Sequence, residues 1–300
     1  MKKVFLVIAV CIVIILSYII YNKGINYSGV IVASAVGDYK DFGEFSTENN
    51  IGLHKIYDIN NNKEYTNRQP YLYLRKANEE NQLVACYYDE KQKVIKIGLV
   101  NYIKGNFVLE DTLYVANSQE IIIKHPSLQK DKLYFIQSYN GNNKLMEYDL
   151  KSQKESILID DYYGTNYYIL QDYIFYSRVN NTSSSIYKFN IENKQSSIWK
   201  KDVILGGVHV NNSKITYYKN DTFYINNIDK DKETKYEISE SENKIMRILI
   251  YDDEYALIVT REKDKHLYKT RIYNLKNNSS KYIFKSMGKT FLPKTIIWMK

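Results

Sequence analysis

Five residues of types that hold or transfer charge stand ahead of one repeated apolar run. Arg75, His125, Tyr167, His209 and Arg247 lie 8, 8, 7, 6 and 9 residues before Leu83, Leu133, Ile174, Ile215 and Ala256. Arginine offers paired N–H donors to a carboxylate or phosphate, histidine changes charge near neutral pH, and a phenol both donates and accepts. Brought to one height in successive units, these side chains would form a cationic or pH-switchable mouth suited to an anionic ligand. The other reading makes them strand-end residues bonded to nearby loops. The unequal offsets leave both open, because a one-residue slip turns a strand side chain to the opposite face.

No other group has the spacing of a catalytic or metal site. His54, His125, His209 and His266 are far apart, with no H-E-x-x-H and no paired cysteines, so neither metal nor cofactor is expected. Asp229, Asp231 and Glu233 begin like a calcium loop but lack its glycine and terminal glutamate, and read as a solvated turn. The nucleophile elbow, the Walker loop and the dinucleotide-binding glycine pattern are all missing. Asn180, Asn211, Asn220 and Asn277 start glycosylation-like triplets that read more simply as turn asparagines. A binding function is favoured and catalysis is left uncertain; the alternative is a hydrolase or lyase whose site several units assemble at a channel mouth.

The elements that position these residues are short. Apolar or alternating runs of four to seven residues are separated by Asn, Asp, Gly, Ser and Lys clusters, the signature of strands joined by turns. The 31 tyrosines, 10 phenylalanines and many Ile and Val residues suit pleated, half-buried surfaces. Leu133, Ile174, Ile215 and Ala256 open apolar runs at 41-residue intervals, and Leu83 opens another 50 residues before Leu133. A second series ends in an aromatic or apolar residue, Asp or Asn, then Leu or Ile. Tyr57-Asp58-Ile59, Tyr148-Asp149-Leu150, Phe189-Asn190-Ile191 and Tyr273-Asn274-Leu275 are clear members; Ile97-Gly98-Leu99 and Asn227-Ile228-Asp229 are weaker. The Asp or Asn is expected to bond turn amides as the chain leaves a third strand. Short fourth strands follow at Ser156 to Ile159, Ser197 to Trp199, Lys235 to Ile238 and Lys281 to Phe284.

A four-stranded unit of about 40 to 45 residues cannot bury both faces alone and must stack on its neighbours around a channel. The sequence therefore predicts an all-β fold, a β-propeller of six blades with five to seven admissible. The run Thr295 to Met299 is expected to pair with the first blade, since an open ring would expose a strand edge.

Units such as Lys132-Leu-Tyr-Phe-Ile to Lys144-Leu-Met-Glu-Tyr-Asp-Leu, and Ile174-Phe-Tyr-Ser to Ile186-Tyr-Lys-Phe-Asn-Ile, resemble the bacterial six-bladed propellers related to TolB and to the YWTD propeller of the low-density-lipoprotein receptor. The resemblance spans roughly residues 26 to 285, without the YWTD tetrapeptide, the sialidase Asp-box or the WD dipeptide. It implies a binding scaffold more often than an enzyme and carries over no functional residue.

Placement rests on the N-terminus. Val4 to Tyr21 holds eighteen residues without a charge behind Lys2 and Lys3, enough for a helix of roughly 27 Å that crosses a bilayer once. The expected domains are a cytoplasmic stub and transmembrane anchor over 1–25 and an extracytoplasmic propeller over 26–300, with the N-terminus inside by the positive-inside rule. The alternative of a cleaved signal has only Ala33-Ser34-Ala35, far beyond the apolar run, as its cleavage pattern. Cys11 in that run and Cys86 are not expected to pair. The formal charge of +8 includes Lys2, Lys3 and Lys23 beside the anchor, and no Lys/Arg block of five occurs, so no nucleic-acid partner is expected. The expected partner is an extracytoplasmic protein, peptide or cell-wall component.

Overall fold

The computed structural model describes residues 29–36, 52–77, 82–164, 166–179, 184–209, 213–219, 222–238, 243–250, 254–262, 268–284 and 295–299. The expected anchor over 1–25 and His266 lie outside these residues.

Among these residues twenty-four strands make six four-stranded antiparallel sheets, the blades of a ring. Blade 1 holds β1 (Val30–Val36), β2 (Gly52–Asp58) and β3 (Lys63–Gln69). Blade 2 is β4 (Leu72–Lys76), β5 (Gln82–Asp89), β6 (Val94–Ile103) and β7 (Asn106–Val115). Blade 3 is β8 (Ile122–Gln129), β9 (Lys132–Tyr139), β10 (Asn142–Asp149) and β11 (Lys154–Ile159). Blade 4 is β12 (Tyr167–Leu170), β13 (Tyr173–Val179), β14 (Ser184–Asn190) and β15 (Ser196–Lys201). Blade 5 is β16 (Ile204–His209), β17 (Lys214–Lys219), β18 (Thr222–Asn227) and β19 (Lys232–Glu237). Blade 6 is β20 (Asn243–Ile250), β21 (Tyr255–Glu262), β22 (Tyr268–Asn274) and β23 (Ser280–Tyr282). The last strand, β24 (Thr295–Met299), pairs antiparallel with β1 from Val30↔Met299 to Ser34↔Thr295, so the chain's end completes blade 1 as expected.

The 41-residue series has a structural meaning. Leu83, Leu133, Ile174, Ile215 and Ala256 are each the second residue of the second strand of a blade, and each is wholly buried. Across the sheet they face Val100, Tyr148, Phe189, Asn226 and Tyr273. Blade 1 has the same pair in Ile31 and Tyr57, a member of the first series that the repeat spacing did not reveal. The two weaker members of the second series are displaced. In blade 5 the triplet is Asn226-Asn227-Ile228, one residue earlier than expected. In blade 2 the third strand runs on to Ile103, so Val100 rather than Ile97 stands opposite Leu83.

The turn residues act as their chemistry dictates. Asp58 accepts from the Asn61 amide, Asp149 from Lys151 and Ser152, Asn190 from Glu192 and Asn193, Asn227 from Lys230, and Asn274 from Lys276 and Asn277, all within 2.7–3.1 Å. These side chains replace backbone partners in the turn and thereby stop each third strand.

Burial is organised by seam. Each of six apolar clusters joins two neighbouring blades: Ile31 and Trp298 meet Leu257 and Ile272 across blades 1 and 6, and Val32 and Ile297 meet Leu74 and Val100 across blades 1 and 2. Blades 2 and 3 share Cys86 with Phe135, blades 3 and 4 Leu145 with Tyr167, blades 4 and 5 Phe175 with Ile215, and blades 5 and 6 Phe223 with Ile258. Cys86 is a buried free thiol whose ionisation burial opposes, which makes it inert packing.

Trp298→Ala removes a nearly fully buried ring from the closing strand and is expected to cost about 3–5 kcal/mol in chemical denaturation; a loss under 1 kcal/mol would mean that β24 carries little of the closure. His54 is buried beside Phe107, with ring centroids 5.0 Å apart, and desolvation lowers its pKa from 6.5 to about 4 against a raising hydrogen bond to the Tyr71 backbone. The folded state therefore binds the proton less readily than the unfolded chain. Stability is full above about pH 6.5, starts to fall below it, and by about pH 4 has lost on the order of 3 kcal/mol. In urea titrations between pH 7 and 5 the slope with pH should flatten in His54→Leu; an unchanged slope would assign it to other groups.

Candidate functional site

All five residues singled out in the sequence lie on first strands, β4, β8, β12, β16 and β20. These strands approach one another around the ring, β24 to β4, β4 to β8, β12 to β16 and β16 to β20, and so form the wall of the central channel.

Four of them are irregular in the same way. The register slips by one residue between Leu72 and Arg75, Lys124 and Ser127, Leu205 and Gly207, and Ile245 and Arg247, a β-bulge in each first strand. Tyr73 and His125 occupy the bulges of β4 and β8 at φ 54° and 52°, the left-handed region, which costs a side chain with a Cβ about 1–2 kcal/mol. Their rings face each other with centroids 4.5 Å apart, packing that offsets some of that cost.

A bulge leaves its own carbonyl out of the ladder, and in three blades a tyrosine hydroxyl donates to it. Tyr167 of blade 4 donates to the His125 carbonyl of blade 3 at 2.8 Å. Tyr168 of blade 4 donates to the Gly206 carbonyl of blade 5 at 3.2 Å. Tyr218 of blade 5 donates to the Met246 carbonyl of blade 6 at 2.6 Å. Burial raises the Tyr218 phenol to about 12 although the Arg247 charge opposes it, so the hydroxyl keeps its proton and stays a donor.

Arg75 belongs to this framework. Its guanidinium lies 4.7 Å from the Tyr167 ring centroid and 5.2 Å from that of Tyr168, and an Nη donates to Asn166 Oδ1. The side chain reaches from blade 2 to the first strand of blade 4. Asn166 Nδ2 donates to the Tyr168 hydroxyl at 3.1 Å, and its carbonyl accepts from buried Tyr162 at 3.0 Å. Gly206 and Gly207 let blades 4, 5 and 6 meet here. A Cβ on Gly206 would stand 2.7 Å from Thr216 Oγ1, and one on Gly207 would stand 3.0 Å from the Ile248 carbonyl and 3.8 Å from Tyr168 Cζ.

The structure therefore brings Arg75 and Tyr167 into contact, joins His125 to them through its backbone, and sets Arg247 by charge beside Tyr218. His209 ends β16, and its side chain is outside the described residues. Tyr73, Asn166, Tyr168 and Tyr218 were not identified from the sequence. A paired Tyr-Tyr ahead of the series and a Gly-Gly in a strand were the only available signals. Among the described residues no group of three His, Cys, Asp or Glu could hold a metal.

No protein-family model matches the sequence, and neither does any curated protein. Solved structures do match. A TolB-like protein from Agrobacterium tumefaciens aligns over 86% of this chain and 90% of its own at 6% identity, with a TM-score of 0.57. A chain of a nidogen/laminin complex aligns over 85% and 92% at 8% identity and TM-score 0.51. TolB from Acinetobacter baumannii aligns over 84% of this chain but 65% of its own, at 15% identity and TM-score 0.49, so this chain spans less than two thirds of that protein. At these identities the likeness is one of fold: a six-bladed propeller of the kind seen in TolB-like structures and in the nidogen/laminin complex.

Removing the hydroxyl that caps a bulge carbonyl strands a buried acceptor. Tyr167→Phe and Tyr218→Phe are each expected to lose about 1–3 kcal/mol in urea unfolding. Tyr163→Phe, on a residue 73% exposed, should change stability by less than about 0.5 kcal/mol. Equal effects at all three positions would show that the caps contribute nothing particular.

Proposed function

We propose that this protein is a binding scaffold, a propeller carried outside the cytoplasm on an N-terminal membrane anchor, that engages a protein, peptide or cell-wall component. The observation that carries the binding reading is an apolar outgrowth at the rim of blade 2. Strands β6 and β7 run ten residues each, whereas among the described residues no strand of another blade exceeds eight. Towards its tip this long hairpin leaves Ile103, Val108 and Leu109 between 37% and 49% exposed. On the neighbouring blade exposed Tyr65 extends the surface, its hydroxyl 2.7 Å from that of Tyr102. Aliphatic residues beside rigid phenols are what a contact surface needs, since they present large area at small entropic cost.

Two further points support the reading. Among the described residues, the carboxylates with displaced pKa values, Asp58, Asp89, Asp149 and Asp229, are held low by side-chain donors, turn amides and nearby lysines, the surroundings of solvated turns. A ring of the same shape occurs in a nidogen/laminin complex, so the fold accommodates protein partners. An uncleaved N-terminus is supported by the place of Ala33-Ser34-Ala35 within β1: cutting after Ala35 would remove most of the strand that pairs with β24.

The test is capture from cell-surface extract with the full chain as bait, beside an Ile103→Lys/Val108→Lys form. The expected outcome is one partner retained by the native chain and lost by the variant. Identical retention on both would contradict the rim surface. Separately, protease added to intact, wall-stripped cells should degrade the propeller, and its protection would reverse the proposed orientation.

A further inference from the structure

The first strands carry charge of one sign only. No aspartate or glutamate occurs in the six first strands β24, β4, β8, β12, β16 and β20, which nevertheless carry Arg75, Lys76, Lys124, Lys244 and Arg247. The outermost strands mix both signs, as on β3 with Lys63, Glu64 and Arg68 and on β19 with Lys232, Glu233, Lys235 and Glu237. With 42 basic against 34 acidic residues in the whole chain, a wall of only one sign is not what overall composition would produce.

Three of the wall cations have no counter-ion among the described residues. Arg75, Lys124 and Arg247 are partly buried, and none forms an ion pair with any described carboxylate. Several described acids are paired elsewhere: Glu64 with Lys55, Asp89 with Lys96, Glu147 with Lys132, and Glu233 with Lys200. A partly desolvated cation without an anion costs free energy, and several of one sign around a low-dielectric channel add their fields where counter-ions would enter. Arg75 is held nonetheless, its plane fixed by the two tyrosine faces and by Asn166. That rigidity leaves further N–H donors of a pre-oriented fork available.

Tyr168 links the two arginines. Arg75 lies over its ring, and its hydroxyl end rests on the Gly206-Gly207 backbone against which Ile248, the neighbour of Arg247, is packed. We propose that the channel binds a doubly charged oxyanion, a phosphate or a dicarboxylate, between Arg75 and Arg247 beside Tyr168, with Lys124 adding to the field. This site is separate from the rim surface of blade 2, and either can fail without the other.

The experiment uses the full chain in neutral detergent at low ionic strength. Thermal unfolding and calorimetric titration are run with inorganic phosphate, with succinate, and with chloride at matched ionic strength. Phosphate or succinate is expected to raise the unfolding midpoint by several degrees while chloride does not, and the arm that acts identifies the head group. Arg75→Met/Arg247→Met keeps both apolar stems and is expected to weaken binding at least tenfold. Its midpoint without ligand should stay within a few degrees of the native chain's, the lost Arg75 contacts to Tyr167, Tyr168 and Asn166 being set against the removal of two cations with no described carboxylate partner. The proposal is overturned if neither anion acts beyond chloride, or if the variant retains the full shift. A variant whose ligand-free midpoint falls by much more would show that the two arginines hold the wall together, and would overturn their assignment to a ligand.

Discussion

A strand that bulges keeps a carbonyl its own sheet cannot satisfy, and in this ring the next blade supplies the donor. His125, Gly206 and Met246 each give their carbonyl to a phenol from an adjacent blade. A buried acceptor without a partner costs about 1–3 kcal/mol, so each hydroxyl fixes the angle at which two blades meet as well as holding them together. Everything nearer the axis inherits that angle. Arg75 can rest over both Tyr167 and Tyr168 only because those rings are anchored at their far ends, one on blade 3 and the other on blade 5.

This arrangement changes what the abundance of tyrosine means. On composition alone the 31 tyrosines suggest half-buried strand surfaces and exposed contacts. In the fold, Tyr162, Tyr167 and Tyr176 are among the largest fully buried side chains, and the apolar seams carry many of the others. Phenol suits a seam between sheets, where an aromatic body fills the gap and a single polar tip reaches a carbonyl that water cannot. Tyr114, which donates to Glu155 across blades 2 and 3 at 2.9 Å, shows the same use farther out.

The blades were legible because identical positions must be apolar in every unit. A residue that is second in its second strand meets the same neighbours each time, and so Leu133, Ile174, Ile215 and Ala256 keep a fixed spacing. Ile31 escaped because the first blade is built from both chain ends and because 15 residues, 37–51, separate β1 from β2. The third strand of blade 2 was misplaced because it runs on past Asn101, the counterpart of Asp149, to a turn at Lys104-Gly105. For the site, offsets alone put five residues on the correct strands. Their grouping could not be read, because each bulge resets the alternation of its strand and no local signal separates a bulged first strand from a regular one. Gly206-Gly207 was the nearest to such a signal, and its meaning is apparent only with blade 6 lying against it.

If the seams and the β24–β1 closure hold the ring as one unit, no blade opens alone. Native-state hydrogen exchange of the full chain tests this directly at the amides of β24, β1 and β9. The result expected is that protected amides in β24 and β1 exchange only through global unfolding, with the same free energy and the same denaturant dependence as those in β9. Exchange in β24 and β1 at a free energy well below that of β9, and insensitive to denaturant, would show that the ring opens at its closure and would contradict the account.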